Sequence, residues 1–377
     1  MKKCIINGKV ILHDGIVEKN VYIEDGIISE ISNREPKEEE IIDIKGDYLS
    51  PGFIEMHSHG RGGSDSMYAT LKDLNIITSN TIKTGVTSLL PTTMTMGKDE
   101  TKKAIQNIAD NKDKVEGSKI IGIHMEGPFI NAKHKGAQPE EYILEPSIDD
   151  FEYMVNNHTS LIKKITIAPE MGDSATFINE MTKRKIVVSI GHTDASYEEA
   201  MKSFKDGITS GTHTYNAMTG LNHRSPGCVG AIMDNNEVFA ELILDGIHVS
   251  FPAARILLRN KGLDHLCLIT DSMEAASLED GKYQLGGQDV YVKDNSARLA
   301  DGTLAGSVLS MNRAVLNAFQ NLGITLNEAV NLASYNPAKC LHLNNVGEIA
   351  VNKLADLVVL DRDLNVKEVY IEGMRKI

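Results

Sequence analysis

Short apolar runs, each closed by a turn dipeptide, fill the first fifty residues. Cys4-Ile5-Ile6 precedes Asn7-Gly8, Val10-Ile11-Leu12 precedes Asp14-Gly15, and Val21-Tyr22-Ile23 precedes Asp25-Gly26. This spacing predicts hairpins and meanders. The polar stretch 33–40, with Lys37-Glu38-Glu39-Glu40, reads as a solvated loop. The β style returns at the far end, in Asp356-Leu357-Val358-Val359-Leu360 and again over 366–371. A strand group of either size is marginal alone in water. The two ends are therefore expected to form one small β-sandwich domain, residues 1–48 with 345–377.

Between them the texture changes to strand followed by helix. Buried-looking runs occur at 50–56, 86–91, 119–125, 164–168, 186–190, 208–212, 238–244 and 266–270, eight in all. Helix-start signals stand between most of them, such as Ser147-Ile148-Asp149-Asp150, Ser196-Tyr197-Glu198-Glu199 and Ser250-Phe251-Pro252. Near-continuous apolar strands joined by crossover helices mean a parallel sheet. Eight units over about 250 residues favour an α/β fold of the closed (β/α)8, TIM-like barrel type, here 49–344. An open doubly wound sheet is the alternative.

In such a barrel chemistry sits at the C-terminal strand ends. Almost every run ends in a polar residue that is costly to bury: His57-Ser58-His59 after the first, His124-Met125-Glu126 after the third, and Gly191-His192-Thr193-Asp194 after the fifth. His213, Asp245 with His248, and Asp271 close the sixth, seventh and eighth. Residues two apart on a strand face one side, so His57 and His59 both point into the barrel mouth. An isolated HxH is a weak signal. Joined by Glu126, His192, His213 and Asp271, it points to a divalent metal site of imidazole and carboxylate ligands, suited to zinc or iron. A metal held this way, with open positions, activates water and polarises a carbonyl, which describes hydrolysis. Asp271 is then the natural general base and later general acid. His124 reads as a neighbour that hydrogen-bonds the ligands. His134, His158, His265 and His342 have no motif around them and read as surface or packing residues. The glycines of Gly60-Arg61-Gly62-Gly63 fit either an anion cradle or a tight turn.

Composition narrows the partners. Of 377 residues, 39 are Lys or Arg and 52 Asp or Glu, a formal charge of −13, with 41% apolar and 24% charged residues. This is the make-up of a globular protein. It offers no basic field for nucleic acid or an anionic membrane surface. No export signal or membrane-spanning run is evident, and the four cysteines, Cys4, Cys228, Cys267 and Cys340, form no CxxC pair. A cytoplasmic protein with reduced thiols is expected.

The runs Pro51-Gly52-Phe53-Ile54-Glu55-Met56-His57-Ser58-His59-Gly60, His124-Met125-Glu126-Gly127-Pro128-Phe129 and Gly191-His192-Thr193 resemble the amidohydrolase superfamily. More narrowly, His213-Thr214-Tyr215-Asn216-Ala217-Met218, Asp245-Gly246-Ile247-His248, Thr270-Asp271 and Leu304-Ala305-Gly306-Ser307 resemble its N-acetylglucosamine-6-phosphate deacetylase family, over residues 43–361. The resemblance implies Glu126, His192 and His213 as metal ligands and Asp271 as the catalytic acid/base. It implies sugar-phosphate contacts at Asn216, Ala217, His248, Leu304, Ala305 and Gly306, and a phosphate-binding Arg224 that reaches a neighbouring subunit, hence a homodimer. Some members lack the HxH and bind one metal. Here His57 and His59 allow a second ion, so one or two ions are expected, the second with Glu126 bridging and Asp271 as a further ligand. Where several members carry a histidine that polarises the amide carbonyl, Ala137 is followed by Gln138, which donates a hydrogen bond but carries no charge. A second metal would offset that loss.

The resemblance thus implies hydrolysis of N-acetyl-D-glucosamine 6-phosphate to D-glucosamine 6-phosphate and acetate. A deacetylase for another N-acetyl-hexosamine phosphate, such as the galactosamine isomer, is the nearest rival. A cyclic-amide hydrolase fits less well, since the fourth run ends Ala168-Pro169-Glu170 without a lysine. A non-catalytic sugar-phosphate sensor would have lost Asp271 or a ligand, and none is lost.

Overall fold

The computed structural model describes residues 2–37 and 39–377; Glu38, in the loop expected at 33–40, lies outside them. Eight strand positions follow one another in parallel: Phe53–Ser58, Val86–Thr93, a third broken into Lys119–Ile120 and Ile123–Glu126, Ile162–Ile167, Val187–Ile190, Ser210–Gly211, Phe239–Ile243 and Leu266–Ile269. A helix follows each, from Leu71–Thr81 after the first to Met311–Asn321 after the eighth. Of the polar starts seen in the sequence, Ser147 and Ser196 act as side-chain caps, whereas Ser250 stands at its N-cap position without a side-chain cap bond. Ser147 accepts the Asp150 N–H, and Ser196 forms a capping box with Glu199, each satisfying donors that the helix itself leaves unpaired. The β/α barrel expected from the alternation is the fold, nearly closed.

Its seam lies between the first and eighth strands. At the mouth a bridge joins Ser58 and Ser272, and the Asp271 N–H donates to the His57 carbonyl at 2.9 Å. At the opposite end the strands part and a later segment fills the gap. Ile54 N–H donates to Ala333 O at 2.9 Å and Leu268 N–H to Leu332 O at 2.8 Å. Between these lies Glu55, 1% exposed, whose carboxylate accepts the N–H of His57 at 3.0 Å and of Thr270 at 3.1 Å.

The two ends of the chain share sheets, as expected. One sheet has the order Met374–Arg375, Val366–Ile371, Leu357–Leu360, Tyr48–Pro51, Lys9–Leu12, Gly15–Glu18; a second combines Ile27–Ser32, Asn20–Glu24, Lys2–Ile6 and Glu40–Asp43. Ile5, Val10, Val21, Ile23, Leu49, Leu357 and Tyr370 form the core between them. The expected strand 50–56 is in fact parts of two, one in this sheet and one in the barrel. Gly52 makes the crossing, since a Cβ there would stand 2.2 Å from Thr87 Oγ1.

One element escapes the βα reading. After the eighth strand, Gly281–Leu285, Gln288–Lys293 and Ser296–Arg298 form a three-stranded antiparallel sheet over the barrel mouth. Leu285, Val290 and Val292 pack there on Met94, Ala137, Met273 and Ala305. Among the described residues no helix is long and apolar enough to cross a membrane. All four cysteines are buried and free.

Candidate active site

Strand ends converge at the barrel mouth. The first strand supplies His57 and, just past its end, His59; the third ends on Glu126. His192, His213 and Asp271 each stand two residues beyond the fifth, sixth and eighth strands, and all three have positive φ, at 48°, 30° and 48°. Such backbone is strained for residues with a Cβ and collects at functional sites. Their side chains form two groups that could each hold a metal ion, His57 with His59 and Asp271, and Glu126 with His192 and His213.

Glu126 joins the groups. Its Oε1 lies 3.2 Å from His57 Nε2, 3.3 Å from His192 Nε2 and 3.1 Å from His213 Nε2, while Oε2 lies 3.1 Å from His59 Nε2. Asp271 Oδ1 is 3.4 Å from the Nε2 atoms of both His57 and His59. For a zinc ion bonded at its usual distances, the edges of the ligand tetrahedron are about 3.3–3.4 Å. The donor spacings here match that figure. His57 Nε2 is buried without a hydrogen-bond partner, as expected of an atom aimed at an ion. The donor set therefore fits the divalent metal expected from the sequence.

The electrostatics agree. Burial lowers the His57 pKa, yet the charges of Glu126 and Asp271 outweigh it and raise the group to about 9. Burial likewise pushes the Asp271 carboxyl up, but His57 and His59 hold it below its ordinary value. The site thus demands positive charge, which protons or a divalent ion can supply in competition.

Around the ligands lies a layer that sequence reasoning did not single out. Glu241 and Lys164, both fully buried, pair inside the barrel, and Glu241 Oε2 stands 3.2 Å from His57 Nδ1. His192 Nδ1 is 2.9 Å from the carbonyl of His134, which also lines the cavity. His134 is thus a site residue and not the bystander its lack of motif suggested. His124 lies beside the site with its ring edge-on to His57, but its two ring nitrogens bond Thr92 and Thr166 and not a candidate ligand, contrary to expectation. The anion-cradle reading of 60–63 fails, because Gly62 and Gly63 N–H donate to Ala276 O and Glu274 O.

A cavity of about 210 Å³ opens over the ligands. Asn216, Ala217, His248, Ala137, Gln138, Leu304 and Gly306 line it with His59, Glu126, His192, His213 and Asp271. Ala305 lies fully buried behind the lining. Asp245 orients His248 through a 2.7 Å contact to Nδ1. Ser307 N–H donates to Asp271 O at 2.7 Å, tying the Leu304-Ala305-Gly306 turn to the Asp271 backbone. Gln138 is braced at both ends: its Oε1 accepts the Thr95 N–H at 2.8 Å and its Nε2 donates to Glu126 Oε2 at 2.7 Å. Arg224 stands apart, exposed on the 221–226 loop and outside this cavity.

The amidohydrolase family model matches residues 48–375. The chain belongs to the amidohydrolase family. It is 38% identical over 349 residues to the N-acetylglucosamine-6-phosphate deacetylase of Lysinibacillus sphaericus, covering 92% of this chain and 90% of that one. It is 34% identical over 358 residues to the N-acetylgalactosamine-6-phosphate deacetylase of Escherichia coli O157:H7, covering 94% of each. The crystal structure of N-acetylglucosamine-6-phosphate deacetylase from Pasteurella multocida superposes with a TM-score of 0.94 at 31% identity, covering 100% of this chain and 99% of that one. This amidohydrolase therefore carries its ligand groups on the scaffold of enzymes named for sugar-phosphate deacetylation.

Proposed function

We propose that this amidohydrolase removes the acetyl group of N-acetyl-D-glucosamine 6-phosphate, releasing D-glucosamine 6-phosphate and acetate in the cytoplasm. The observation that carries the reading is Asp271, set 3.4 Å from His57 Nε2 and His59 Nε2 on the wall of a cavity that Asn216, Ala217, His248 and Gly306 also line. His57, His59 and Asp271, and Glu126, His192 and His213, would hold one or two ions of the zinc or iron kind, which would supply Lewis acidity and lower the pKa of a bound water.

The side chains do the rest. Asp271, ionised because its imidazole neighbours outweigh burial, takes a proton from the attacking water and returns it to the departing amine nitrogen. Asn216, the Ala217 backbone, His248 and the 304–306 turn orient the sugar. Arg224, exposed and outside its own cavity, suits the phosphate of a substrate bound in a second copy, which makes a homodimer the working unit.

Acetate release from N-acetylglucosamine 6-phosphate, its galactosamine epimer and unphosphorylated N-acetylglucosamine, run beside metal analysis, tests this. Turnover of the first at least tenfold above the second supports the reading. The galactosamine 6-phosphate reading, favoured by the 34% identical relative from Escherichia coli O157:H7, predicts the reverse order. No acetate from either phosphate would sink both.

A further inference from the structure

Lys164 on the fourth barrel strand and Glu241 on the seventh meet inside the barrel, both without solvent exposure. Two strands separate theirs in the sheet, so the pair crosses the interior. Burying two charges is expensive, and apolar side chains of similar volume in place of such a pair are often neutral or stabilising. Stability alone gives no reason for it. The other contacts of the carboxylate do. While Oε1 is taken by Lys164, Oε2 stands 3.2 Å from His57 Nδ1 and accepts the His213 N–H at 3.2 Å.

A single oxygen thus touches one residue from each ligand group. At His57 it fixes the proton on Nδ1 and turns the Nε2 lone pair toward Glu126 and Asp271, the arrangement in which an outer carboxylate orients a metal-binding imidazole. At His213 it holds the backbone of a residue whose φ is 30°. The Glu241 carbonyl takes the next N–H, that of Thr214, at 2.9 Å. Lys164 makes no hydrogen bond to any ligand among the described residues, and its place is that of a counter-charge.

We propose that Glu241 is a positioning residue that aligns His57 and His213 together, and that Lys164 is the counter-charge that lets its carboxylate lie beneath them. The inference rests on the metal reading of the two ligand groups. The test takes the full-length protein, stripped by chelator, and titrates it with zinc(II) alone against a competing chromophoric chelator, with thermal melts to follow folding. Lys164→Met/Glu241→Leu removes both charges and the acceptor. Lys164→Met/Glu241→Gln removes both charges and keeps an amide oxygen to accept from His57 and His213.

The leucine double variant should fold and bind zinc about 10- to 100-fold more weakly than the parent. The glutamine double variant should recover most of that loss. Parent-like zinc affinity in the leucine variant overturns the proposal, as does a glutamine variant that binds no better than it. A leucine variant that does not fold also overturns it, the pair then being an element of the fold and not of the ligands. A parent that binds no zinc sinks the metal reading and the proposal with it, whereas a binding parent with unaltered variants sinks only the pairing.

Discussion

His192 Nε2 and His213 Nε2 face each other at 3.1 Å inside a carboxylate-rich pocket. His192 directs its Nδ1 at the His134 carbonyl, so its Nε2 presents a lone pair to its neighbour. Nitrogens at that distance share either a hydrogen bond donated by an Nε2–H tautomer of His213 or, on the proposed reading, a metal ion. Chelation should abolish hydrolysis, and added divalent ion should restore it.

Protons are the weaker substitute, and pH reveals them. The folded pKa of His57, about 9, lies above the 6.5 of an unfolded histidine. Stability from this group is complete below pH 6.5 and is lost as pH rises through 9. The Tm of stripped protein should therefore fall across that window, by roughly 1–2 °C per kcal/mol lost for a chain of this length. Zinc-loaded protein, whose imidazoles are deprotonated, should lack that slope. A flat profile for stripped protein would count against the electrostatic account.

Asp271→Asn keeps an oxygen near His57 and His59 but cannot take a proton. A kcat lower by about 10²–10⁴-fold is expected. Metal content at saturating zinc should remain within twofold of the parent. An unchanged kcat refutes the acid/base assignment.

Gln138 spans Thr95 and Glu126, so Gln138→Ala strips a donor from the carboxylate that joins the ligand groups. About 10- to 100-fold loss in activity or metal affinity is expected. Parent-like metal affinity with only kcat reduced would instead indicate direct action on the substrate carbonyl.

Glu55 carries the seam. Burial pushes its carboxyl up to about 7, so stability tied to its neutral form is complete below about 4.5 and is lost as pH rises through 7. Glu55→Gln should raise Tm at pH 8. Glu55→Leu should destabilise by about 2–4 kcal/mol, because the N–H groups of His57 and Thr270 lose their acceptor. Denaturant melts at pH 8 decide, and equal stability of the two variants would refute the clamp.

Arg224→Ala should raise KM for the phosphorylated sugar at least tenfold and leave the unphosphorylated sugar unaffected. Mixed with inactive Asp271→Asn subunits, it should regain activity if the arginine serves a neighbouring copy. A mixture no more active than its parts would refute that exchange.

The fold was legible because most barrel strands are apolar runs followed by an amphipathic stretch, several of them opened by a capping side chain. The candidate ligands, which the structure does bring together, were legible because polar residues at strand ends have few structural uses. Glu241, Lys164 and Glu55 were less visible, since a charged residue inside a strand normally faces water. The signal for Glu241 was a single charge within the otherwise apolar Phe239-Ala240-Glu241-Leu242-Ile243. The sheet at 281–298 was overlooked for a different reason. Leu285-Gly286-Gly287-Gln288 is a hairpin signal, but it falls after the eighth strand, where the repeat predicts only a helix. If Arg224 serves a second copy, as proposed, its role lies outside the contacts that its own chain supplies, and only the motif around it in the sequence points to it.

The seam also orders events in time. Ser58 and Ser272, bridged across it, are 214 residues apart. Made early on the ribosome, the strand bearing His57 and His59 stays without its closing neighbour until nearly the whole chain has emerged, including Leu332 and Ala333. Such distant closure is slow. A bound ion therefore acts as a seal on a finished chain, and a nascent or truncated copy ending before residue 330 should retain none after gel filtration.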